Sequence, residues 1–325
     1  MFRSFIFTCT AFLILPARPA NPQTPSISGP VAGFVYDHGS RSVRPLLGIP
    51  GATYAAAPVL SGVDWASIAP GGKWAFVAQS GGAGFVQGLS SAVPVASSGA
   101  SLMPAVDRVV WNRDGSFALL YSSSSGQLQR ISLSDTAVSA DAPVDLSSWG
   151  KPAALAIDPS GSQIAFGVAG AGLYLFSPGQ SPAPISSMSK PVAAAFDETG
   201  LRLYAADLDQ QVIVTFDSGG GPAPFASLAQ ADGSVLNPVG LAVSAGNRYL
   251  LLADRAMHTV LVYETASQNL ANTIPLDFAP SRLEALSAGP TFLLNGDKSN
   301  EWLMVLDARQ IPTVYFVPAS QQEPL

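Results

Sequence analysis

Short apolar runs alternate with polar turns along most of the chain, and one unit shows this pattern most clearly. It spans residues 190–218 and reads KPVAAAFDETGLRLYAADLDQQVIVTFDS. Apolar runs at 192–196 and 203–206 flank the turn Asp197-Glu198-Thr199-Gly200, in which glycine tolerates a positive φ. A third run at 212–216 alternates with the period of two that is typical of a strand with one more deeply buried face. The unit is therefore predicted to form three consecutive β-strands.

Five other segments repeat this order of strand, tight turn, strand, polar loop and strand. They begin at Val63, Arg108, Ala153, Gly240 and Arg282. A fourth strand fits after each third one, for example at 313–317. Repeats of about 40 to 48 residues match the spacing of four-stranded propeller blades. We predict an all-β chain that folds as a β-propeller of six recognisable four-stranded repeats plus an N-terminal hairpin.

The hairpin precedes the first full repeat. Residues 33–37 (GFVYD) match third strands such as 261–264 (LVYE), and the run 42–49 then resembles a fourth strand. Half a blade at one end of a propeller favours ring closure, because an open edge strand invites aggregation. The last repeat, however, already has third and fourth strands of its own. Six blades with an extra hairpin and seven blades with one incomplete blade both fit the sequence.

The N-terminus differs from the repeats. MFR supplies a positive charge, and SFIFTCTAFLIL supplies an apolar stretch of about a dozen residues, as in a secretory signal peptide. The stretch is shorter than the ~20 residues that a stable membrane span needs. We predict a signal peptide at 1–20, a Pro/Ser-rich linker at 21–30, the propeller at 31–319 and a tail at 320–325. The protein is expected to be secreted or periplasmic, and cleavage would remove Cys9, its only cysteine.

Composition narrows the range of functions. The chain has 325 residues, a net charge of −6 and 12% charged residues. A nucleic-acid partner would require a basic stripe, and adhesion to anionic lipid would require a polybasic segment. With only two histidines, His38 and His258, a multi-histidine zinc or copper site is excluded.

Two segments carry a family resemblance. ADLDQQVIVTF at 206–216 and ADRAMHTVLVY at 253–263 resemble the YVTN and NHL families of extracytoplasmic β-propellers, as does the turn DPSG at 158–161. The resemblance covers most of 31–318 and implies the propeller fold and a binding role. It implies no catalytic residue, because these motifs are structural and fold does not determine function.

Candidate chemistry concentrates in loops. The loops that join second and third strands share one face of a propeller with the loops that join successive blades. The candidate binding residues in the first kind of loop are Asp207, Asp209, Asp254, Arg255, His258, Asp297 and Lys298. Arg108, Lys151, Lys190, Asn237 and Arg282 fall in or near the second kind. Carboxylates there would suit calcium or magnesium, and Arg or Lys would suit an anion.

The same pattern also has a purely structural interpretation. Loops are polar because they contact solvent, and Asp favours turns because its side chain bonds nearby backbone amides. Asp254 and Asp297 are both expected to be loop residues, so reversing the two charges together is expected to leave folding intact.

Two further positions stand out. Trp149 lies beside Lys151 and could form an exposed stacking platform for a sugar or peptide, whereas most tryptophans are expected in blade cores. When the first strands of the repeats are aligned, Glu284 occupies a position that holds an apolar residue in the other repeats. A one-residue bulge would turn it outward; a buried partner such as Arg282, or a metal, is the alternative.

Together these features favour a binding or scaffolding module rather than an enzyme. The expected partner is a protein, peptide or glycan held by the polar loop face, with no nucleic acid and no stable membrane span. The alternative is a metal-dependent, lactonase-like hydrolase with a divalent cation at the channel mouth. A spacer within an envelope assembly is a third interpretation. No cofactor other than that cation is indicated.

Overall fold

Seven antiparallel sheets form a ring, which makes the protein a seven-bladed β-propeller. The computed structural model describes residues 29–80, 82–91, 93–97, 101–217, 224–229, 233–296 and 302–318. The predicted all-β propeller is thereby confirmed, and the number of blades is seven. The predicted signal peptide at 1–20, most of the linker and the tail at 320–325 lie outside the described residues.

The first four blades follow one another along the chain. Blade 1 contains β1 (Val31–Asp37), β2 (Ser42–Leu47), β3 (Tyr54–Ala55) and β4 (Leu60–Ser61). Blade 2 contains β5 (Trp65–Ile68), β6 (Trp74–Gln79), β7 (Gly82–Gln87) and β8 (Val95–Ala96). Blade 3 contains β9 (Arg108–Trp111), β10 (Phe117–Ser122), β11 (Gln127–Leu133), β12 (Val138–Ala140) and β13 (Val144–Asp145). Blade 4 contains β14 (Ala154–Ile157), β15 (Ile164–Val168), β16 (Gly172–Phe176) and β17 (Ala183–Ser186).

The last three blades each have four strands in sequence order. Blade 5 contains β18 (Pro191–Phe196), β19 (Arg202–Asp207), β20 (Val212–Asp217) and β21 (Pro224–Ala229). Blade 6 contains β22 (Pro238–Val243), β23 (Tyr249–Asp254), β24 (Thr259–Glu264) and β25 (Asn269–Pro275). Blade 7 contains β26 (Glu284–Ala285), β27 (Thr291–Leu293), β28 (Leu303–Asp307) and β29 (Thr313–Val317). A single 3-10 turn, Ala245–Asn247, is the only helix among the described residues.

Second strands are apolar on both faces because each sheet lies between two others. In β10, Leu119 and Leu120 point to opposite sides of the sheet, and both are fully buried. Continuous apolar runs of this kind are expected where both faces of a sheet are covered. Burying such a side chain contributes roughly 1.5–3 kcal/mol to the free energy of unfolding.

The core is divided among the blade interfaces. The described residues contain seven apolar clusters, and each lies between two neighbouring blades. Between blades 3 and 4, for example, Leu119 and Tyr121 pack against Phe166 and Val168. One of these clusters joins blade 7 to blade 1, where Val35 packs with Leu293, so side-chain packing closes the ring.

Blade 1 corrects one expectation from the sequence. The strand β1 ends at Asp37 and is followed by a four-residue turn whose last residue, Arg41, has φ 48°. The second strands of blades 5 and 6 end in the same way, with Asp207 followed by Gln211 (φ 56°) and Asp254 followed by His258 (φ 53°). The hairpin therefore supplies a second and a third strand, not a third and a fourth. Alternation alone could not distinguish these positions, because all strands share the same period.

As a result, blade 1 has no counterpart of the first strands among the described residues, and β1 occupies the innermost position. The strand β1 runs in the opposite direction to the other innermost strands, so it ends on the face where they begin. Near its end, the Tyr36 hydroxyl donates to the carbonyl of Val63, which precedes the innermost strand of blade 2, at 3.0 Å. Blades 1, 2 and 7 pack closely where a first strand of blade 1 would lie. A Cβ at Gly33 would lie 2.9 Å from the Leu286 Cβ, and the Gly71 amide of blade 2 donates to the Leu286 carbonyl of blade 7 at 3.1 Å. Blades 2 and 7 thus touch directly where an inner strand of blade 1 would otherwise lie.

Candidate functional site

Asp207 and Asp254, the two central carboxylates of the predicted site, are structural. Both are fully buried at the ends of second strands. The carboxylate of Asp207 accepts hydrogen bonds from the amides of Lys190 and Gln210, both at 2.8 Å. Each carboxylate thereby ties the loop after its own strand to the loop that enters the same blade.

Asp254 makes the same connection in blade 6. Its carboxylate accepts the amides of Leu236 at 2.7 Å, Asn237 at 2.9 Å and Met257 at 2.9 Å. The expectation that Asp254 is a loop residue is therefore wrong, because it ends a strand, is fully buried and satisfies three backbone donors, so charge reversal there should destabilise the fold.

The remaining predicted loop residues lie on the same face but do not converge. Asp209 is exposed, accepts the Ser189 hydroxyl at 3.2 Å and lies 4.0 Å from the Lys190 ammonium. Arg255 donates to the Pro280 carbonyl at 3.2 Å, and the exposed His258 holds the positive-φ position of its turn. Asp297 and Lys298 lie outside the described residues. Within the described part of the chain, no group of three or more His, Cys, Asp or Glu side chains could hold a metal ion.

Trp149 is half-buried, not an open platform. Its ring packs edge-on against Phe166 at a centroid distance of 6.4 Å, within the cluster between blades 3 and 4. Its role in stacking against a ligand stays a prediction, and the contact with Phe166 gives it a packing role.

Glu284 also departs from the preferred expectation. The pairing of β26 with β27 aligns Glu284 with Leu293 and Ala285 with Phe292 with no register shift, so no bulge turns Glu284 outward. Its carboxylate instead accepts a hydrogen bond from the Arg282 guanidinium at 3.0 Å. The structure therefore contains the alternative arrangement, in which Arg282 is the partner of Glu284.

A central cavity of about 650 Å³ lies between the innermost strands of all seven blades. We call its two ends the turn-face mouth, where first strands lead into second strands, and the loop-face mouth, where the loops between second and third strands and the loops between blades lie. Its ionisable lining residues, tyrosine aside, are Asp107, Arg108, Arg113, Asp197, Arg282 and Glu284. The predicted Asp207, Asp209, Asp254, Arg255 and His258 are not among the lining residues.

A polar bridge crosses the turn-face mouth. The Arg113 guanidinium of blade 3 lies 2.6 Å from the Glu198 carboxylate of blade 5 and donates to the Val243 carbonyl of blade 6 at 3.0 Å. Glu198 in turn accepts the Gly246 amide at 2.8 Å, and its own amide donates to the Asn247 side chain at 2.7 Å. Burial lowers the pKa of Arg113, and the charge of Glu198 opposes this shift. The bridge joins three blades across the channel.

The loop-face mouth is built differently. The Arg108 guanidinium, at the start of β9, donates through Nη1 to the carbonyls of Ala153 at 2.9 Å and Pro152 at 3.4 Å. Burial lowers its pKa, and the neighbouring Tyr121 and Asp107 partly oppose the shift. Trp65, at the start of β5, also lines the cavity at this end.

The blade 1 side of this mouth carries a histidine. His38 packs edge-on against Tyr36 at a centroid distance of 4.6 Å. Burial lowers the pKa of His38, Arg282 lowers it further, and Asp37 opposes both. These groups belong to the hairpin and to blade 7, which the sequence analysis did not bring together.

The residues of the two mouths differ in how far their positions could be predicted from the sequence. Arg108 and Arg282 stood out because they precede first strands, where inter-blade loops enter the channel. Arg113 and Glu198 were missed because each occupies an ordinary polar position in a tight turn, NRDG and DETG. Only the closure of the ring brings those turns together.

No family model and no curated protein matches this chain. Among solved structures, the chain is similar to one in a nidogen/laminin complex, with a TM-score of 0.54 and 18% identity over 72% of this chain and 88% of that chain. It is also similar to one in the hydrazine synthase of Kuenenia stuttgartiensis, with a TM-score of 0.50 and 14% identity over 66% of each chain. At these identities the likeness shows the fold, and the chain is a β-propeller repeat protein. The resemblance to the YVTN and NHL families stays a prediction.

Proposed function

We propose that the protein is a secreted or periplasmic β-propeller of the YVTN/NHL type that binds a protein or peptide partner through its loop face. The difference between the two mouths of the channel carries this proposal. The turn-face mouth is crossed by the Arg113–Glu198 bridge, whereas the loop-face mouth leads into a cavity of about 650 Å³. A cavity of this size lies within the range of ordinary ligand sites.

Exposed ion pairs on the loop face support a polar partner. Arg41 pairs with Asp64, and Lys190 lies near Asp209, with roughly half of each side chain exposed. Pairs at such exposure contribute little to the free energy of folding, so a partner could exchange them at small cost. Charge complementarity at an interface mainly determines which partner binds and how fast.

The structural likeness agrees with this class of function. The solved nidogen/laminin complex contains two proteins bound to each other, and one of its chains shares the propeller fold. Across the described residues no helix is long and apolar enough to cross a membrane.

Site-specific photocrosslinking tests the proposal. A photoreactive phenylalanine analogue would be placed at Asp209 on the loop face and, as a matched control, at Leu201 on the turn face. Leu201 is 62% exposed, so both positions are accessible to a partner. We expect a discrete crosslinked polypeptide from position 209 in the native host and none from position 201. Equal crosslinking from both positions, or none from either, would contradict the proposal, and crosslinking to a glycan-bearing polymer would redirect it.

Thermal unfolding tests the alternative of a metal-dependent hydrolase. Asp207 and Asp254 already bind backbone amides through both carboxylate oxygens, which leaves them poor ligands for a cation in this conformation. We therefore expect calcium, magnesium and chelator to leave the melting temperature unchanged. A cation that binds only the folded state would raise it.

A further inference from the structure

One cation in the central cavity, Arg108, makes no direct ion pair among the described residues, although the charge of Asp107 acts on it. Arg113 pairs with Glu198, and Arg282 pairs with Glu284. Arg108 forms no ion pair with any residue that the structure describes, and its acceptors are two neutral carbonyls.

Two acidic lining residues, Asp197 and Asp107, already accept hydrogen bonds from neighbouring loop residues. Asp197 accepts the Thr199 hydroxyl at 2.8 and 2.9 Å, and Asp107 accepts the Ser123 amide at 3.0 Å. To pair directly with Arg108, Asp197 would have to give up a bond that stabilises its turn, and Asp107 would have to give up the bond that links its loop to Ser123.

Arg108 has hydrogen-bond donors left over, and their arrangement suits a carboxylate. Both of its hydrogen bonds use Nη1, so Nε and Nη2 have no acceptor among the described residues. These two nitrogens form the side of the guanidinium that binds a carboxylate through two parallel hydrogen bonds. Arg108 is half-buried, and a bound anion would satisfy the donors that its two carbonyl acceptors leave open. The lowered pKa of Arg108, which burial causes, agrees with this.

The surroundings define the rest of the ligand. Arg108 pairs with Tyr121 one residue before the end of β10, and Trp65 pairs with Ala78 one residue before the end of β6. The two residues therefore occupy equivalent positions at the loop-face mouth of neighbouring blades. Trp65 packs edge-on against Phe76 at a centroid distance of 5.8 Å and offers its remaining surface to the cavity. An aromatic residue thus lines the same mouth on the blade next to that of the cation.

We propose that the cavity binds an organic monoanion whose carboxylate sits on Nε and Nη2 of Arg108 and whose apolar or aromatic body lies beside Trp65. One guanidinium with two donors that lack acceptors among the described residues matches a single carboxylate better than a phosphate dianion. This inference rests on the proposed function in that the ligand enters through the loop face, and a carboxylate of a bound peptide would have the required chemistry.

Matched small probes test the site. Phenylacetate, its neutral isostere phenylacetamide and inorganic phosphate would be titrated into the mature protein at pH 7 and low salt. Calorimetry and tryptophan fluorescence would report the dissociation constants. We expect phenylacetate to bind at least about tenfold more tightly than phenylacetamide, because a charge-assisted pair exceeds a neutral hydrogen bond. Phosphate is expected to bind more weakly than phenylacetate.

Substitutions separate the anion site from a purely structural role of Arg108. Arg108→Gln should lower the affinity for phenylacetate about tenfold or more and leave that for phenylacetamide unchanged. Arg108→Lys should give an intermediate loss, because lysine cannot form two parallel hydrogen bonds. Arg248→Gln is the control, since Arg248 is exposed and lies over the Tyr249 ring at 4.8 Å, away from the cavity lining.

Several outcomes would overturn the inference. These are equal affinities for the acid and the amide in the wild-type protein, tighter binding of phosphate, and unchanged phenylacetate binding by Arg108→Gln. If that variant does not fold, the wild-type comparison of acid with amide still decides. Crosslinking at position 209 without carboxylate binding would refute this anion site and leave the proposed function standing. Carboxylate binding without crosslinking would support the anion site and contradict the proposed function.

Discussion

The two mouths of the channel contain similar residue types in opposite arrangements. At the turn-face mouth, Arg113 reaches across the ring to Glu198 and to the Val243 carbonyl. At the loop-face mouth, Arg108 reaches only to carbonyls of the adjacent blade, and its charge is not paired among the described residues. A cation paired across the ring stabilises the fold, whereas an unpaired cation beside a cavity is available to a ligand.

On the loop face, buried carboxylates in two blades and exposed carboxylates in two others make the same connection between loops. In blades 5 and 6 an Asp at the end of the second strand binds the loop that enters the blade. In blades 2 and 3 the connection is reversed: Asp64 and Asp107, which precede the first strands, bind the amides of Ser80 and Ser123. The same connection made from either end indicates that these carboxylates hold the loops in place, and Asp64 pairs with Arg41 as well.

The largest expected effect comes from removing a buried loop-face carboxylate. Asp254→Ala leaves the amides of Leu236, Asn237 and Met257 without their acceptor, and we expect a loss of about 3 kcal/mol in the free energy of unfolding. Urea denaturation would measure it, with the exposed Asp209→Ala as control. A difference below about 1 kcal/mol between the two variants would show that Asp254 is not structural.

A smaller loss is expected from breaking the turn-face bridge. Arg113→Gln should lower the free energy of unfolding by about 2 kcal/mol, because hydrogen bonds to charged groups contribute about 1.5–3 kcal/mol. A double-mutant cycle with Glu198→Gln should give a coupling energy of at least about 0.5 kcal/mol, measured by urea denaturation. Arg248→Gln serves as control on the same face. Additive losses would mean that the two side chains do not interact in solution.

The smallest expected effect concerns His38 at the loop-face mouth. Its pKa is lowered from the ordinary 6.5, mainly by burial and also by Arg282. Between the lowered value and 6.5 the unfolded chain binds more protons than the folded one. His38 therefore contributes stability that is present above pH 6.5 and is lost as the pH falls through the lowered value.

NMR titration measures this directly, because the chain has only two histidines. The His38 resonance should titrate below pH 6.5, and Arg282→Gln should raise its midpoint. The Arg309→Gln variant, in which the pair with Asp307 on blade 7 is removed, should leave the midpoint unchanged. A His38 midpoint at or above 6.5 would place the ring in solvent and refute its position in the mouth.

Sequence reasoning reached further for the blades than for the site. The repeat of apolar runs identified the first strands at Trp111, Ile157 and Phe196, because burial between two sheets imposes the same pattern on every blade. It misassigned the hairpin 33–37, since second and third strands have the same period. It also took Asp207 and Asp254 for exposed loop residues, because a chain position next to a turn does not reveal whether the side chain points inward.

The sequence by itself determined the architecture: an all-β chain of repeated antiparallel sheets whose turns carry Gly and Asp where the backbone requires them. Local chemistry suffices for that, because strand period and turn residues act within a few positions of each other. Only the tertiary structure decided the number of blades, the closure of blade 1 on blade 7, and the pairing of Arg113 with Glu198. Those features depend on contacts between residues far apart in the chain, such as Arg113 with Val243, which form only when the ring closes.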